Sequence, residues 1–178
     1  MNGNSASGGM CGEPLLLKNQ LCFPIYACAR EIIKAYHEPL SALNLTYTQY
    51  LVMMVLWEEK QKSVRALGEC LYLDSGTLTP LLKKLEAKGC ITRERCPEDE
   101  RCVIIRLTAE GEALREKAEN VPRCMAEKSP LTQEEAEMLY RTLYKLLHTL
   151  HDEGGNDNRL GLKSEPKAVR HLRASRRR

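Results

Sequence analysis

Residues 71–89 read LYLDSGTLTPLLKKLEAKG, and this stretch decides the fold of the chain. Asp74 and Ser75 carry side-chain oxygens of the kind that cap helix N-termini, so a helix is predicted from there to about Lys88. Gly89 is typical of the residue that ends such a helix. A short helical pattern ends just before Asp74, and two helices joined by so tight a turn indicate a helix-turn-helix.

Two short strand-like runs follow this second helix, at 91–95 and 102–107. The polar segment between them, 97–101, is a turn of the kind that joins antiparallel strands. A hairpin directly behind a helix-turn-helix forms a wing. The expected fold class is therefore mainly α with a small β-hairpin wing, a winged helix-turn-helix.

The second helix of this motif predicts a buried face and a polar face. The core positions are four leucines: Leu78, Leu81, Leu82 and Leu85. The side chains left to meet DNA bases and phosphates are Ser75, Thr77, Thr79, Lys83 and Lys84. In the wing, Arg93 and Arg95 are predicted to touch phosphates. Arg101, oriented by Asp99, is predicted to enter a minor groove, against the alternative of a solvated charge cluster.

Helix-capping patterns also mark the elements that precede this motif. Thr46, with Gln49 three residues later, forms a capping box for a helix that ends near Glu59. Ser63 predicts the cap of a shorter helix at 64–71. These helices and the wing place the winged helix-turn-helix at 46–107.

Longer helices flank the motif on both sides. One runs from Leu21 to about Tyr36, and two follow the wing, from Thr108 to about Cys124 and from Thr132 onward. Apolar stripes on terminal helices need a partner, so a homodimer is predicted, with recognition helices ~34 Å apart on an inverted repeat. The expected dimerisation helices lie at 15–45 and 108–151, between a disordered arm at 1–14 and a disordered tail at 152–178.

The net charge of +3 conceals an uneven distribution. Residues 156–178 hold eight Lys and Arg against two Asp and Glu, which is +6, so the remainder carries −3. This basic tail is predicted to add salt-sensitive, non-specific DNA affinity. The sequence shows neither a long apolar run nor a signal peptide, so a cytoplasmic protein with reduced thiols is expected.

Cys22 stands at the predicted start of the first helix. Unpaired backbone N–H groups and the positive end of the helix dipole favour a thiolate there, and the thiolate is the reactive form of cysteine. This position is therefore typical of a reactive cysteine. The alternative is a small buried hydrophobic residue.

Several motifs together closely resemble one family. They are NQLCF at 19–23, LTY at 45–47, the recognition stretch that begins at Leu71, and EDER at 98–101. In this order they resemble the organic-hydroperoxide-sensing repressors (OhrR type) of the MarR family, over roughly residues 15–150 of a MarR-like domain expected at 15–151. The resemblance implies a dimeric repressor that leaves its operator when Cys22 is oxidised, first to a sulfenic acid.

The resemblance also implies partners for that thiol. Tyr36 and Tyr47 are expected to hydrogen-bond Cys22 from the other subunit, and Tyr26, one turn beyond Cys22, to approach it in its own chain. Some members of the family close an intersubunit disulfide with a second cysteine. Cys124 falls between the last two helices, where that resolving thiol belongs, and Cys11 on the N-terminal arm is the competing candidate.

The remaining cysteines are expected to be unreactive. Cys28 lies six helical residues beyond Cys22, about 9 Å along the axis and outside normal disulfide reach. The others look structural or incidental: Cys70, Cys90, Cys96 and Cys102.

The expected function is thus a transcriptional repressor and not an enzyme, with no cofactor and no metal. One alternative is a MarR-type repressor released by a small aromatic ligand, bound in a cleft near Tyr26, Tyr36 and Tyr47. The other is a thiol peroxidase, against which the recognition helix and the wing argue.

Overall fold

The computed structural model describes residues 14–96 and 99–152. The chain divides into two compact units, one up to Tyr36 and the other from His37. The arm expected at 1–14 and the tail expected at 152–178 fall outside the described residues, apart from Pro14 and Asp152 at their borders.

The first unit consists of a short 3₁₀-helix, Leu17–Asn19, and helix α1, Cys22–Ala35. The prediction of a helix from Leu21 to about Tyr36 is confirmed, because these two residues flank α1 as its N-cap and C-cap. No residue of α1 is buried, and large apolar side chains such as that of Ile32 are exposed. Such a surface is typical of a helix that packs against another protein chain.

The second unit contains the winged motif and the C-terminal helices. In chain order its elements are α2 His37–Ser41, α3 Tyr47–Glu59, β1 Gln61–Ser63, α4 Val64–Leu71, α5 Ser75–Ala87, β2 Ile91–Cys96, β3 Asp99–Leu107, α6 Ala109–Ala118, α7 Asn120–Glu127 and α8 Gln133–Asp152.

Side-chain caps begin α3 and α4 where the sequence predicts them. Thr46 Oγ1 accepts a hydrogen bond from the Gln49 N–H at 3.4 Å, and Gln49 Oε1 accepts one from the Thr46 N–H at 3.1 Å. These reciprocal bonds form the predicted capping box. Ser63 Oγ accepts from the Ala66 N–H at 3.1 Å, which confirms the cap of α4.

The wing is part of a three-stranded antiparallel sheet with the order β1-β3-β2. The predicted hairpin is confirmed, and its base is the pair of Ile91 with Leu107. Strand β1 was not predicted, because its residues QKS are polar and carry no alternating apolar pattern. It pairs with the other side of β3, with Lys62 opposite Ile105.

Two further differences concern helices. The short helix α2 was not predicted, since the pattern was expected to stop near Pro39. The single helix expected from Thr108 to Cys124 is divided into α6 and α7, which Glu119 joins. Pro122 lacks an N–H group and cannot bond the Ala118 carbonyl oxygen, which weakens the helix at this point. Cys124 therefore lies within α7 and not in a connecting segment.

The core of the second unit lies between α3, α4, α5 and the sheet. Leu56, Leu67 and Leu85 are fully buried there, together with Ile105 of β3. Trp57 Nε1 donates a buried hydrogen bond to the carbonyl oxygen of Gly111 at 2.9 Å and so fastens α6 to α3. None of the described helices is long and apolar enough to cross a membrane.

Gly111 offers a test of this packing. A Cβ atom there would lie 2.1 Å from the carbonyl oxygen of Cys90 and 2.8 Å from Leu107 Cδ1. Because that oxygen belongs to the backbone, Gly111→Ala is expected to lower the free energy of unfolding by about 1–3 kcal/mol in a urea titration.

The wild type, measured in the same titration, is the reference. A Gly111→Ala protein as stable as the wild type would contradict the close approach of α6 to the Cys90 carbonyl oxygen.

Candidate functional site

Helix α5 exposes the polar side chains that the sequence assigned to DNA. These are Ser75, Thr77, Thr79, Lys83 and Lys84. The opposite face is buried, with exposures of 8% or less at Leu78, Leu81, Leu82 and Leu85. The predicted division into a core face and a free face is therefore confirmed, while the contacts with DNA stay a prediction.

Two hydroxyl groups on this face already donate hydrogen bonds within the helix. Thr77 Oγ1 donates to Asp74 Oδ2 at 2.7 Å, and Thr79 Oγ1 donates to the carbonyl oxygen of Ser75 at 2.7 Å. A hydroxyl has one proton to donate but two lone pairs with which to accept. While these bonds persist, both threonines can accept from the amino groups of bases but cannot donate to phosphate oxygens.

Asp74 caps α5 as predicted. Its Oδ1 accepts a hydrogen bond from the Thr77 N–H at 2.9 Å. The bond from the Thr77 hydroxyl, followed by that from the Thr77 backbone, lowers the pKa of Asp74 below its usual value. The carboxylate therefore stays ionised where it complements the positive end of the helix dipole.

The turn between α4 and α5 depends on a left-handed residue that no sequence pattern had indicated. Tyr72 has φ 55° and ψ 40°, and the next N–H, of Leu73, donates to the Gly68 carbonyl oxygen at 2.9 Å. A Cβ on Gly68 would lie 2.6 Å from the Leu73 carbonyl oxygen. Only glycine therefore fits at this position without a shift of the backbone.

Tyr72 also connects the turn to the last helix. Its ring meets that of His151 edge-on, with 5.1 Å between the centroids and 87° between the planes. An open cavity of about 430 Å³ lies beside this contact, and Arg65 and Glu69 are among its lining residues. Since the cavity is not lined by Tyr26, Tyr36 or Tyr47, it is not the cleft considered for an aromatic ligand.

The wing arginines have different surroundings. The Arg93 side chain is only 24% exposed, and its Nη1 lies 3.7 Å from Glu86 Oε2 on α5. Arg93 thus fastens the wing to the recognition helix, whereas Arg95 is exposed and better placed for a phosphate. Asp99 and Arg101 belong to β3, but their side chains lie outside the described part of the chain.

A second contact holds α5 in place at its C-terminal end, and it was not predicted from the sequence. Lys88 Nζ donates to Gln49 Oε1 at 3.0 Å and to the carbonyl oxygen of Asn44. Gln49 is 2% exposed, so its amide, already part of the capping box of α3, links the two helices inside the protein. The capping box pointed to Gln49 in the sequence, but it did not indicate the contact with Lys88.

Cys22 is the first residue of α1, and its side chain is exposed. The predicted position at a helix start is confirmed. Cys124 is also exposed. Burial raises the pKa of the Cys70 and Cys90 thiols, which disfavours their reactive thiolates. Cys11 lies outside the described residues.

The three tyrosines expected near the thiol belong to different parts of the secondary structure. Tyr26 Oη accepts a hydrogen bond from Arg30 Nη1 at 3.2 Å, one turn further along α1. Tyr36 caps the other end of this 14-residue helix, ~21 Å from Cys22 at 1.5 Å per residue. Tyr47 begins α3, and burial raises the pKa of its hydroxyl above the usual value of 10.0.

Comparison with known proteins establishes the family. The family model of the transcriptional regulator SarA/Rot matches residues 34–120. The organic hydroperoxide resistance transcriptional regulator of Bacillus subtilis (strain 168) is 50% identical over 141 residues, which are 79% of this chain and 96% of that protein. The chain belongs to the organic-hydroperoxide regulators of the MarR family. The resemblance recognised in the sequence is thereby confirmed.

Solved structures of MarR-family regulators share the winged fold. Reduced AbfR of Staphylococcus epidermidis bound to DNA has a TM-score of 0.65 at 36% identity and covers 75% of this chain and 93% of its own. Its disulfide-formed state has a TM-score of 0.55 at 39% identity, covering 74% and 92%. A MarR mutant of E. coli complexed with operator DNA has a TM-score of 0.62 at 26% identity, covering 71% and 93%.

The Asp74 cap predicts a specific dependence of stability on pH. Because its pKa is lowered in the folded state, Asp74 stabilises the fold above the usual value of 3.8, and this contribution is lost as the pH falls through the lowered pKa. Asp74→Ala should be less stable than the wild type at neutral pH, as followed by circular dichroism during unfolding.

Asp74→Asn keeps an oxygen for the cap but cannot titrate, so it serves as the control. Near neutral pH it should resemble the wild type more than Asp74→Ala does, and it should lack this part of the acid destabilisation. Identical acid profiles of the Asn variant and the wild type would show that the Asp74 carboxylate does not contribute.

Proposed function

We propose that this chain is a redox-sensing transcriptional repressor that acts as a homodimer on an inverted-repeat operator. The reduced protein binds DNA, and organic hydroperoxide releases it by oxidising Cys22. The observation that carries the proposal is the exposed position of Cys22 at the first residue of α1, in a chain whose family is that of the organic-hydroperoxide regulators.

The proposed oxidation proceeds in two balanced steps. The Cys22 thiolate attacks the terminal oxygen of the hydroperoxide, the O–O bond breaks, and an alcohol leaves while Cys22 becomes a sulfenic acid. The sulfur gives up two electrons, which the peroxide takes. A second thiol then attacks the sulfenic sulfur, so that a disulfide forms and water leaves. Cys124 of the other subunit is the proposed second thiol, with Cys11 as its competitor.

Tyr36 and Tyr47 are proposed to hydrogen-bond Cys22 of the other subunit. Tyr36 cannot reach Cys22 in its own chain, since the two residues lie at opposite ends of α1. A tyrosine hydroxyl is protonated at neutral pH, and the burial of Tyr47 raises its pKa further, so this hydroxyl can donate to a thiolate. Tyr26, whose hydroxyl accepts from Arg30, is proposed to line the thiol site with its ring.

The DNA contacts are proposed for α5 and the wing. Lys83, Lys84 and Arg95 supply positive charge for phosphates, and Ser75 supplies a hydroxyl at the first residue of the helix. Thr77 and Thr79 are proposed to accept hydrogen bonds from base edges, because their protons are already in use. Asp99 and Arg101 are proposed for the minor groove.

The dimer is supported by an exposed apolar stripe on α8. Its members, spaced by three or four residues, are Leu139, Leu143, Leu146 and Leu150. A stripe of this kind is unfavourable in water, so we assign it, together with the apolar face of α1, to the contact between subunits.

The contact of Tyr72 with His151 suggests how a change in the dimer reaches DNA. Helix α8 carries the proposed dimer stripe, and its C-terminal turn contacts the residue that sets the direction of the chain before α5. A shift of α8 upon oxidation would move this turn and misalign the recognition helix. A disulfide between subunits provides a larger displacement than a sulfenic acid alone.

Release by an aromatic ligand and peroxidase activity remain the competing functions. A ligand sensor would release DNA without an oxidant, and its release would be unchanged by Cys22→Ser. A thiol peroxidase would turn over in the presence of a reductant, whereas a sensor is oxidised once and stays oxidised until its thiol is reduced. The relatives that this chain matches are named as transcriptional regulators, which favours the sensor.

The central test compares the wild type with Cys22→Ser on operator DNA. Fluorescence anisotropy should show that about one equivalent of organic hydroperoxide per subunit releases the wild type and leaves Cys22→Ser bound, because only the wild type has the sensing thiol. Release of both proteins would point to another target of the oxidant. Survival of both complexes would favour the ligand sensor.

A second test identifies the resolving thiol. Non-reducing electrophoresis of the oxidised wild type should show a covalent dimer, which Cys124→Ser abolishes and Cys11→Ser preserves. The reverse pattern would assign the resolving role to Cys11. A dimer band in both variants would contradict each assignment.

A third test concerns the dimer. Leu143→Glu places a charge in the apolar stripe of α8 and should convert the dimer to monomers at micromolar concentration, as measured by light scattering during size-exclusion chromatography. Lys145→Glu, at an exposed polar position on the same helix, should remain dimeric. If Leu143→Glu stays dimeric, the interface lies elsewhere.

A further inference from the structure

The wing hairpin changes its register beside two cysteines. From Ile91 opposite Leu107 to Arg95 opposite Val103, each step along β2 moves one step back along β3. The next residue of β2, Cys96, pairs with Asp99. The ladder therefore passes over residues 100–102 of β3 at this single step, and Cys102 is among them.

The regular register would bring the two cysteines opposite each other. One further step beyond the pair of Arg95 with Val103 places Cys96 against Cys102. Opposed residues of antiparallel strands have Cα atoms about 4.5 or 5.5 Å apart, and a disulfide needs about 4.4–6.8 Å. A disulfide therefore requires the existing ladder to continue by one pair and the present pairing of Cys96 with Asp99 to open.

We infer that Cys96 and Cys102 form a reversible disulfide within the wing, and that its formation replaces the pairing of Cys96 with Asp99 by that of Cys96 with Cys102. The wing then has two registers, one for each oxidation state. The effect on DNA binding rests on the proposed function, whereas formation of the bond does not.

Other described cysteines are poorly placed to compete for this bond. Cys90 is 4% exposed and lies at the opposite end of the hairpin, where its carbonyl oxygen accepts from the Thr108 N–H at 3.2 Å. Cys70 lies on α4, and burial raises the pKa of its thiol. Cys102 is a free thiol that is only partly covered.

The reaction uses the same class of oxidant as the proposed sensor. One wing thiolate attacks the terminal oxygen of an organic hydroperoxide, the O–O bond breaks, and an alcohol leaves behind a sulfenic acid. The other wing thiol attacks that sulfur and displaces water. Two thiols thereby lose two electrons and two protons, and the hydroperoxide becomes an alcohol and water.

The change of register acts on the residues proposed for the minor groove. Asp99 loses its partner on β2, and Arg101 becomes the neighbour of a disulfide-bonded residue, so the backbone that carries both side chains moves. Disruption of one such groove contact is expected to weaken binding about tenfold.

Peptide mapping tests the bond itself in full-length protein. The background is Cys22→Ser with Cys124→Ser, which removes the proposed sensor pair. The protein is treated with excess cumene hydroperoxide, alkylated and digested with trypsin. Trypsin cleaves after Arg95, Arg101 and Arg106. The two wing cysteines therefore fall in separate peptides, CPEDER and CVIIR. The expected product is these two peptides joined, lighter by two hydrogen atoms than their sum.

Two single substitutions show which cysteines form the bond. In the same background Cys102→Ser should abolish the joined peptide, and Cys70→Ser should preserve it. Anisotropy on the same samples should show about tenfold weaker DNA binding after oxidation, restored by dithiothreitol and absent in Cys102→Ser.

The possible failures are distinguishable. Two separately alkylated peptides would overturn the wing disulfide whatever Cys22 does in the wild type. A joined peptide with unchanged DNA affinity would overturn the change of register at the DNA-contacting tip. Failure of the Cys22 sensor would appear only in the wild type, which would then keep its DNA after one equivalent of oxidant.

Discussion

The leucine face of α5 is the constraint on which the rest of the structure depends. Four leucines on this helix are 8% exposed or less, and complete burial of a leucine side chain stabilises a fold by about 1.5–3 kcal/mol. Their combined burial fixes the rotation of α5 about its own axis. The polar side chains of Ser75, Lys83 and Lys84 then face outward as a consequence, with no further interaction needed to direct them.

Besides the packing of these leucines, three polar or aromatic contacts at the helix and its preceding turn each lead to a different element. The ion pair of Glu86 with Arg93 leads to the wing, and the hydrogen bond of Lys88 with Gln49 leads to α3. At the turn before α5, the contact with His151 leads to α8. The face of α5 proposed to read DNA and the stripe of α8 proposed to form the dimer are therefore connected through short paths of packed side chains, an arrangement that suits a switch between two states.

Local features were predictable from the sequence, and features that depend on distant partners were not. The caps at Thr46, Ser63 and Asp74 each involve residues three positions apart, so their patterns could be recognised in the sequence. Strand β1 exists because it pairs with β3, more than forty positions away in the chain, as in the pair of Gln61 with Arg106. The position of Cys22 at a helix start is local and was correct, whereas the partners proposed for its thiol belong to a second subunit, which no pattern in one chain determines.

The most direct measurement counts the molecules of organic hydroperoxide that release one DNA complex. Reduced protein on labelled DNA from upstream of its own gene is titrated with cumene hydroperoxide, while anisotropy and peroxide consumption are recorded together. Release should be complete near about one equivalent per subunit, and consumption should then fall sharply, because Cys22 is expected to react once and much faster than the other thiols. DNA that stays bound far beyond that point, or rapid consumption that continues unchanged after release, would contradict the assignment of Cys22 as the sensor.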